Sequence, residues 1–191
     1  MNKEEEVNIK QLQQKIAFER DERSYKHFFL HFYKGLIGFA VTYVKTQEAA
    51  EEIVSDVMMK IWNMQAELAR IENIKVYLFT AVRNTSLNYL AKNSRYTYKD
   101  IENNIDVLLN FDIYTPEDIL LRDEFRKQVA AAIRSLPPKC QMVYKLVRED
   151  ELTYRQVAQI LNISENTVDR HLSIALHKLA ESVKIYLRSN T

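Results

Sequence analysis

The sequence predicts an all-α protein of two helical domains, a three-helix bundle and a smaller C-terminal helical domain, joined by a flexible linker. The first observation behind this is scarcity of turn residues: 191 residues hold only 2 glycines (Gly35, Gly38) and 3 prolines (Pro116, Pro137, Pro138). All-β folds need many turns, and turns consume both residue types. The second is that apolar residues recur at helical spacing through both ends of the chain. The third is a lapse of that periodicity where the charge changes. Residues 19–93 carry 10 basic and 9 acidic groups, residues 94–118 carry 2 and 6, and residues 119–191 carry 12 and 8. The swing predicts domains at 20–93 and 119–188 with an acidic linker at 94–118. With 47% hydrophobic and 28% charged residues, the chain is globular rather than disordered.

A first helix over about 25–45 carries Tyr25, Phe28, Phe29, Phe32, Leu36, Phe39, Ala40 and Tyr43, a wide aromatic stripe that suits burial in a bundle. A second, about 47–66, places Ala50, Ile53, Val57, Ile61 and Met64 inward and Glu48, Glu51, Glu52, Ser55, Asp56 and Lys60 outward. A third, about 73–92, carries Ile74, Tyr77, Leu78, Ala81, Val82, Leu87 and Leu90, interrupted by Arg83-Asn84-Thr85-Ser86. From Asn93 to Pro116 only a patch of Ile105, Val107, Leu108, Leu109 and Phe111 breaks the polarity, which fits an interdomain connection better than a loop inside a domain. Periodicity returns over about 119–134 with Leu120, Leu121, Phe125, Val129, Ala132 and Ile133. The Pro137-Pro138 pair stops that helix and starts the next, which runs to about Val147.

Residues 152–179 read LTYRQVAQILNISENTVDRHLSIALHKL. Thr153 and Gln156 have the spacing of a capping box, and Val157, Ala158 and Leu161 give the short helix that follows a buried face. Asn162-Ile163-Ser164 is a three-residue turn with Ile163 as its plug. Ser164 then caps a longer helix that carries Val168, Leu172, Ala175, Leu176 and Leu179 inward. A short helix, a tight turn and a longer helix with a polar leading face form a helix-turn-helix, whose second helix fits the DNA major groove. Its outer face offers Glu165, Asn166, Thr167, Asp169, Arg170 and Ser173. Asn and Arg can read adenine and guanine edges bidentately, while Thr and Ser reach base edges or phosphate. Glu165 and Asp169 repel phosphate, so this module needs help to hold DNA. A purely structural helical hairpin is the alternative.

The segment YKGLIGFAVTYVKTQEAAEEIVSDVMMKIW, Tyr33 to Trp62, resembles region 2 of bacterial sigma factors of the extracytoplasmic-function (ECF) group. IKVYLFTAVRNTSLNYLAKNSR, Ile74 to Arg95, resembles the same group's promoter-melting helix. RDEFRKQVAAAIRSLPPKCQMVYKLVREDELTYRQVAQILNISENTVDRHLSIALHKL resembles its region 4. Together these cover nearly the whole chain, and the pattern is most similar to the iron-citrate-type sigma factors of Bacteroidetes.

The resemblance implies an RNA polymerase sigma factor that directs core polymerase to promoters and assists −10 melting. Its partners would be core RNA polymerase, promoter DNA and an anti-sigma factor. It implies that the second helix docks on the clamp helices of the largest polymerase subunit through Glu52, Asp56, Lys60 and Trp62. The alternative is a solvated face with Trp62 in the core. It also implies that Tyr77, Arg83, Asn84, Thr85 and Asn88 bind the −10 element, with Asn84 holding an unstacked base and Tyr77, Phe79 and Tyr89 as stacking walls. A solvated Asn84 is the alternative there. The outer face of the recognition helix would read the −35 element. Asp169 departs from the Lys or Arg common at its place, which leaves the −35 preference open. The acidic linker fits either a channel that holds RNA or a plain spacer.

No catalytic or cofactor constellation stands out, and the chain is expected to be no enzyme and to hold no cofactor. His27 and His31 have the i, i+4 spacing of a helical metal clamp but no third ligand near them in sequence. No glycine-rich phosphate loop exists. The single Cys140 excludes an internal disulfide and reads as a buried, inert thiol. No run of about 18 apolar residues suggests membrane insertion, and MNKEEEVNIK lacks the core of a signal peptide, so a cytoplasmic protein is expected. With no sensor domain after residue 188, regulation is expected from a separate protein. A stand-alone regulator with a LuxR-like helix-turn-helix is the alternative, and it would need strands alternating with helices in residues 1–93. Limited proteolysis is expected to cut first within 94–118; first cuts inside 25–90 would show the boundary to be misplaced.

Overall fold

The computed structural model describes residues 3–93 and 124–189. It divides into two compact units, Met1–Tyr98 and Lys99–Thr191. Among the described residues there are helices and turns and no strand, as the scarcity of glycine and proline predicts. The expected linker at 94–118, with its apolar patch, lies outside the described residues, as do Leu120 and Leu121.

The first unit holds α1 (Lys3–Glu19), α2 (Glu22–Val44), α3 (Gln47–Asn63), the short α4 (Ala66–Ala69) and α5 (Ile74–Asn93). Its centre is α2, which packs against α1, α3 and α5. Phe28, Phe32, Leu36, Phe39 and Tyr43 recur every three or four residues on α2 and are all buried. Phe39 lies 5.3 Å from Tyr43 and 5.2 Å from Phe79 of α5, ring centre to ring centre. The expected bundle of α2, α3 and α5 is therefore present. Tyr25 and Phe29, expected in the core, are only half-buried.

Helix α1 was not among the expected elements. It buries Ile9, Ile16 and Ala17, with Gln13 in the same row, against α2 and α4. A glutamine amid the apolar residues weakens the periodic signal there.

Side chains start the helices. Asp21 Oδ2 accepts from Ser24 N–H at 3.0 Å, and hydrogen bonding to the Ser24 side chain first, then to its N–H, holds the carboxyl below the usual range. Thr46 Oγ1 accepts from Ala49 N–H at 3.3 Å, and Asn73 Oδ1 from Val76 N–H at 3.1 Å. With both glycines inside α2, other residues take the left-handed backbone where helices end: Lys45 follows Val44 and Asn162 follows Leu161 in that conformation, and Arg20, Gln65 and Glu151 also have positive φ. Burial also pulls the Lys45 ammonium down to about 8. The charged form is therefore disfavoured in the folded state, and stability rises with pH between that value and the ordinary lysine range.

The second unit holds α6 (Glu124–Arg134), α7 (Pro138–Tyr144), a π-helical turn (Lys145–Glu149), α8 (Tyr154–Leu161) and α9 (Glu165–Ser189). Here α9 is the centre and packs against α6, α7 and α8. Leu136, Cys140 and Ala175 form the heart of its core, with Tyr144, Ile174 and Leu179 around them. Leu176, expected inside, is 39% exposed, and Ile163 is a half-buried plug. The expected capping box is made: Thr153 N–H donates to Gln156 Oε1 at 2.9 Å, and Gln156 N–H donates to Thr153 Oγ1 at 3.3 Å. Asn162 ends α8 at φ 56, its N–H on Ala158 O. Replacing Thr153 with Ala is expected to destabilise the second unit by about 1 kcal/mol. Hydrogen exchange at the α8 amides measures this, and unchanged protection there would show that the box contributes nothing.

Candidate polymerase and promoter interfaces

Apolar residues at 50, 53, 57 and 61 turn one side of α3 into the core, so the opposite side must face water. Glu52, Asp56 and Lys60 follow each other at four-residue spacing along it, all exposed, with Met59 beside them at 58% exposure. Trp62 does not join that row. It sits half-buried at the seam with α2, neither core nor free anchor, with its ring 4.9 Å from Tyr25 and tilted edge-on at 60°. The Arg20 guanidinium lies 4.4 Å over the indole, and Arg20 Nη1 donates to Trp62 O at 3.1 Å. Tyr25, Phe29 and Tyr33 then continue as an aromatic ladder along α2, the last two stacked at 4.8 Å. Tyr25 O–H donates to Met58 O at 3.0 Å. The α3 face thus combines a charged row, an exposed methionine and an aromatic margin. Sequence reasoning missed Arg20, Tyr25 and Met59 as parts of it; the four-residue spacing of Tyr25, Phe29 and Tyr33 was the available signal.

On α5, Tyr77, Asn84 and Asn88 fall on one side at seven- and four-residue spacing, and all three are exposed. Thr85 lies on the flank, half-buried. Arg83 departs from the expected face: it is 7% exposed, and its Nη1 donates to Asn84 Oδ1 at 3.1 Å. It therefore orients the Asn84 amide from beneath instead of standing beside it. Tyr77 O–H lies 3.7 Å from Met64 Sδ in the connection before α5. Phe79 was expected as a stacking wall. It is 2% exposed and packed on Phe39, so it cannot meet a base. Tyr89 is half-buried.

On α9, Glu165, Asn166, Asp169, Arg170 and Ser173 share the exposed outer side. Thr167 is half-buried and belongs to the helix start: its N–H donates to Ser164 Oγ at 3.1 Å, and the two hydroxyls lie 2.8 Å apart. The chain around 162–164 turns tightly enough to leave that side of α9 projecting, with α8 behind it. Beneath it, Cys140 Sγ lies 3.5 Å from His171 Nδ1. The thiol is buried, as expected, but it has an imidazole partner that spacing in the sequence does not show. His31, half of the i, i+4 histidine pair, lies 3.8 Å from Glu5 and edge-on to Phe32. Burial lowers its pKa, partly offset by Glu5. Among the described residues no cluster of three potential metal ligands forms, and no helix is long and apolar enough to cross a membrane.

Residues 28–96 match the model of sigma-70 region 2, and residues 126–179 match that of sigma-70 region 4. The chain belongs to the sigma-70 family. Among its relatives, the ECF RNA polymerase sigma-E factor of Escherichia coli K12 is 22% identical over 191 residues, covering 93% of this chain and 98% of that protein. The RNA polymerase sigma factor YlaC of Bacillus subtilis is 22% identical over 160 residues, 84% and 92% of the two chains. Sigma-D of the same bacterium is 33% identical over 93 residues, and the match spans only 37% of its length. The sigma factor RpoE of Bartonella quintana, solved in complex with the anti-sigma factor NepR, has the same fold at TM-score 0.58. It is 22% identical, with 85% of this chain and 98% of that one covered. CnrH, solved with the cytosolic domain of CnrY, superposes at TM-score 0.57 with 15% identity, over 93% and 98% of the chains.

This sigma factor is of the ECF type: a transcription initiation factor that directs core RNA polymerase to promoters and assists −10 melting. Sigma factors as a family are initiation factors rather than enzymes. Replacing Arg170 with Ala is expected to weaken use of promoters that need the −35 element by about 1–3 kcal/mol. Affinity for core polymerase should stay the same. Parallel losses of promoter use and polymerase affinity would make Arg170 a support of the fold.

Proposed function

We propose that the three faces divide the work of initiation. The α3 row of Glu52, Asp56 and Lys60, with Trp62 at its margin, docks on the clamp helices of the largest polymerase subunit. The α5 row of Tyr77, Asn84 and Asn88, with Thr85 on its flank and Arg83 orienting Asn84, holds the −10 element. Glu165, Asn166, Asp169, Arg170 and Ser173 of α9 meet the −35 element, and Thr167 fixes the start of that helix. The corresponding domains are 20–93 for polymerase and −10 binding and 119–188 for −35 binding, with 94–118 as the acidic connection. The motifs in Tyr33–Trp62 and Ile74–Arg95 support the iron-citrate-type subgroup of Bacteroidetes. The site of action is the cytoplasm. An anti-sigma factor is a further partner, by analogy with RpoE and CnrH, whose structures hold NepR and a domain of CnrY. The LuxR-like reading is not favoured: residues 28–96 match a sigma region, and the described part of residues 1–93 is helical throughout its elements.

The observation that carries this reading is the exposed row on α5. An amide on the exposed side of α5, oxygen fixed by a buried arginine at 3.1 Å, is pre-arranged to meet a partner rather than free to rotate in water. Replacing Asn84 with Ala keeps good helix propensity and removes only that amide. Loss of one hydrogen-bond partner from a base edge costs about 1–3 kcal/mol, so open-complex formation on a duplex promoter should slow accordingly. Polymerase binding and −35 recruitment should survive. A promoter with a pre-melted −10 bubble should restore initiation only in part, since pre-melting removes the unpairing cost but not the lost contact. Wild-type initiation on both templates would place Asn84 on an idle, solvated face.

A further inference from the structure

Gln13 is 3% exposed within the face by which α1 packs on α2 and α4. A polar side chain so placed is costly unless its hydrogen bonds are made. Its Nε2 donates to the main-chain oxygens of Leu68 and Ile71, the latter at 2.8 Å. Leu68 O, inside α4, also accepts from Ile71 N–H at 3.2 Å, whereas Ile71 O lies just past the helix and takes the Gln13 amide at its end. Seven residues further on, just beyond α1, Arg20 holds Trp62 through its carbonyl and its ring. The N-terminal segment therefore grips both the start and the far part of residues 62–73. Gln13 and Arg20 both precede the segment that matches sigma-70 region 2.

Residues 62–73 join the α3 face to the α5 face, and apart from Gln13 and Arg20 they are held by short-range bonds such as Leu68 N–H to Gln65 O and Ile71 N–H to Leu68 O. Leu68 is their one fully buried side chain after Trp62, while Gln65, Ala66, Glu67, Arg70 and Glu72 are exposed. Gln65 has φ 50 and ψ −131, a sparsely populated backbone conformation that persists only where surrounding contacts enforce it. Few buried contacts and an exposed backbone make a segment prone to local opening. Beyond it, Met64 and Tyr77 are linked at 3.7 Å, so displacement of the connection is felt at the first residue of the α5 row.

We propose that α1 is a splint for this connection and that Gln13 is its positioning residue, setting where α5 begins relative to α3 while the promoter strands part. The inference rests on the assignment of the α3 and α5 faces given above. In this role Gln13 touches neither polymerase nor DNA. It limits the movement of the piece between the two, so that a helix anchored at one end pulls on the strand at the other.

The test uses holoenzyme assembled from core polymerase and the full chain, with Gln13→Met, which keeps the length and apolar packing but has no donor. Gln13→Asn is a second variant that keeps the amide but is too short to bridge both carbonyls, and it carries the comparison should the first fail to fold. Both are expected to bind core polymerase within about twofold of wild type and to open a duplex promoter about five- to tenfold more slowly, the effect of losing the bridge from Gln13 to the half-buried Ile71 carbonyl. On a pre-melted −10 bubble both should start near the wild-type rate, because little opening remains to be done. Wild-type opening of the duplex would overturn the proposal. So would losses of equal size in polymerase binding and on both templates, which is what a merely structural glutamine would give. Asn84→Ala, run alongside, judges the α5 face separately: its silence would remove that assignment and leave the Gln13 comparison, read from strand opening itself, intact.

Discussion

Phe28, Phe32, Leu36, Phe39 and Tyr43 cannot be removed from water by any single neighbour, because together they cover a broad sector of α2. Three helices must surround that sector, and they do: α1, α3 and α5 all pack on α2. Complete burial of one such side chain contributes about 1.5–3 kcal/mol, so the row as a whole outweighs the helix caps, each worth about 1 kcal/mol. Everything functional follows from it at one remove. Once α3 and α5 are pinned by their apolar sides, their charged and amide-bearing sides have no choice but to face outward. The proposed polymerase and promoter faces are the backs of two helices whose fronts are occupied by α2.

The second unit applies the same rule with α9 in the middle, but here the working surface is at one end of the central helix. Val168, Leu172 and Ala175 are buried while Asn166, Asp169, Arg170 and Ser173 are not. A single helix is thus core on one side and, in the proposed role, reader on the other. Such a helix needs a rigid start, and the hydroxyls of Ser164 and Thr167, with Asn162 in the left-handed conformation, provide it. Glu165 and Asp169 are exposed on that side, and like-charge repulsion from phosphate would keep the grip of the proposed reader weak.

The bundle helices, the helix-turn-helix and its capping box were all legible, because aromatic periodicity and cap residues are local signals. The outward rows were legible for the same reason: Glu52, Asp56 and Lys60, or Tyr77, Asn84 and Asn88, share a helix and hence a face. What was not legible depended on which way a side chain turns once its helix is packed, or on contacts between distant segments. Arg83 looked like one more polar residue in an interrupted helix, and only the fold shows that it lies beneath Asn84. Phe79 resembled a stacking wall until Phe39 was found against it. Thr167 read as a recognition residue, and the structure adds that its N–H and hydroxyl meet Ser164, three residues away. Gln13 disguised its own helix, since a buried amide satisfied by carbonyls 55 and 58 residues later leaves no pattern in the chain.

The pairing of Cys140 with His171 has a practical consequence. The chain has one cysteine, and it lies at 3% exposure between α7 and the reading helix. A thiol-specific reagent can reach it only when those two helices separate. Its labelling rate under native conditions is therefore a clock for opening of the C-terminal unit. Followed with and without promoter DNA, that single sulfur would report how firmly the reading helix is seated on its own core.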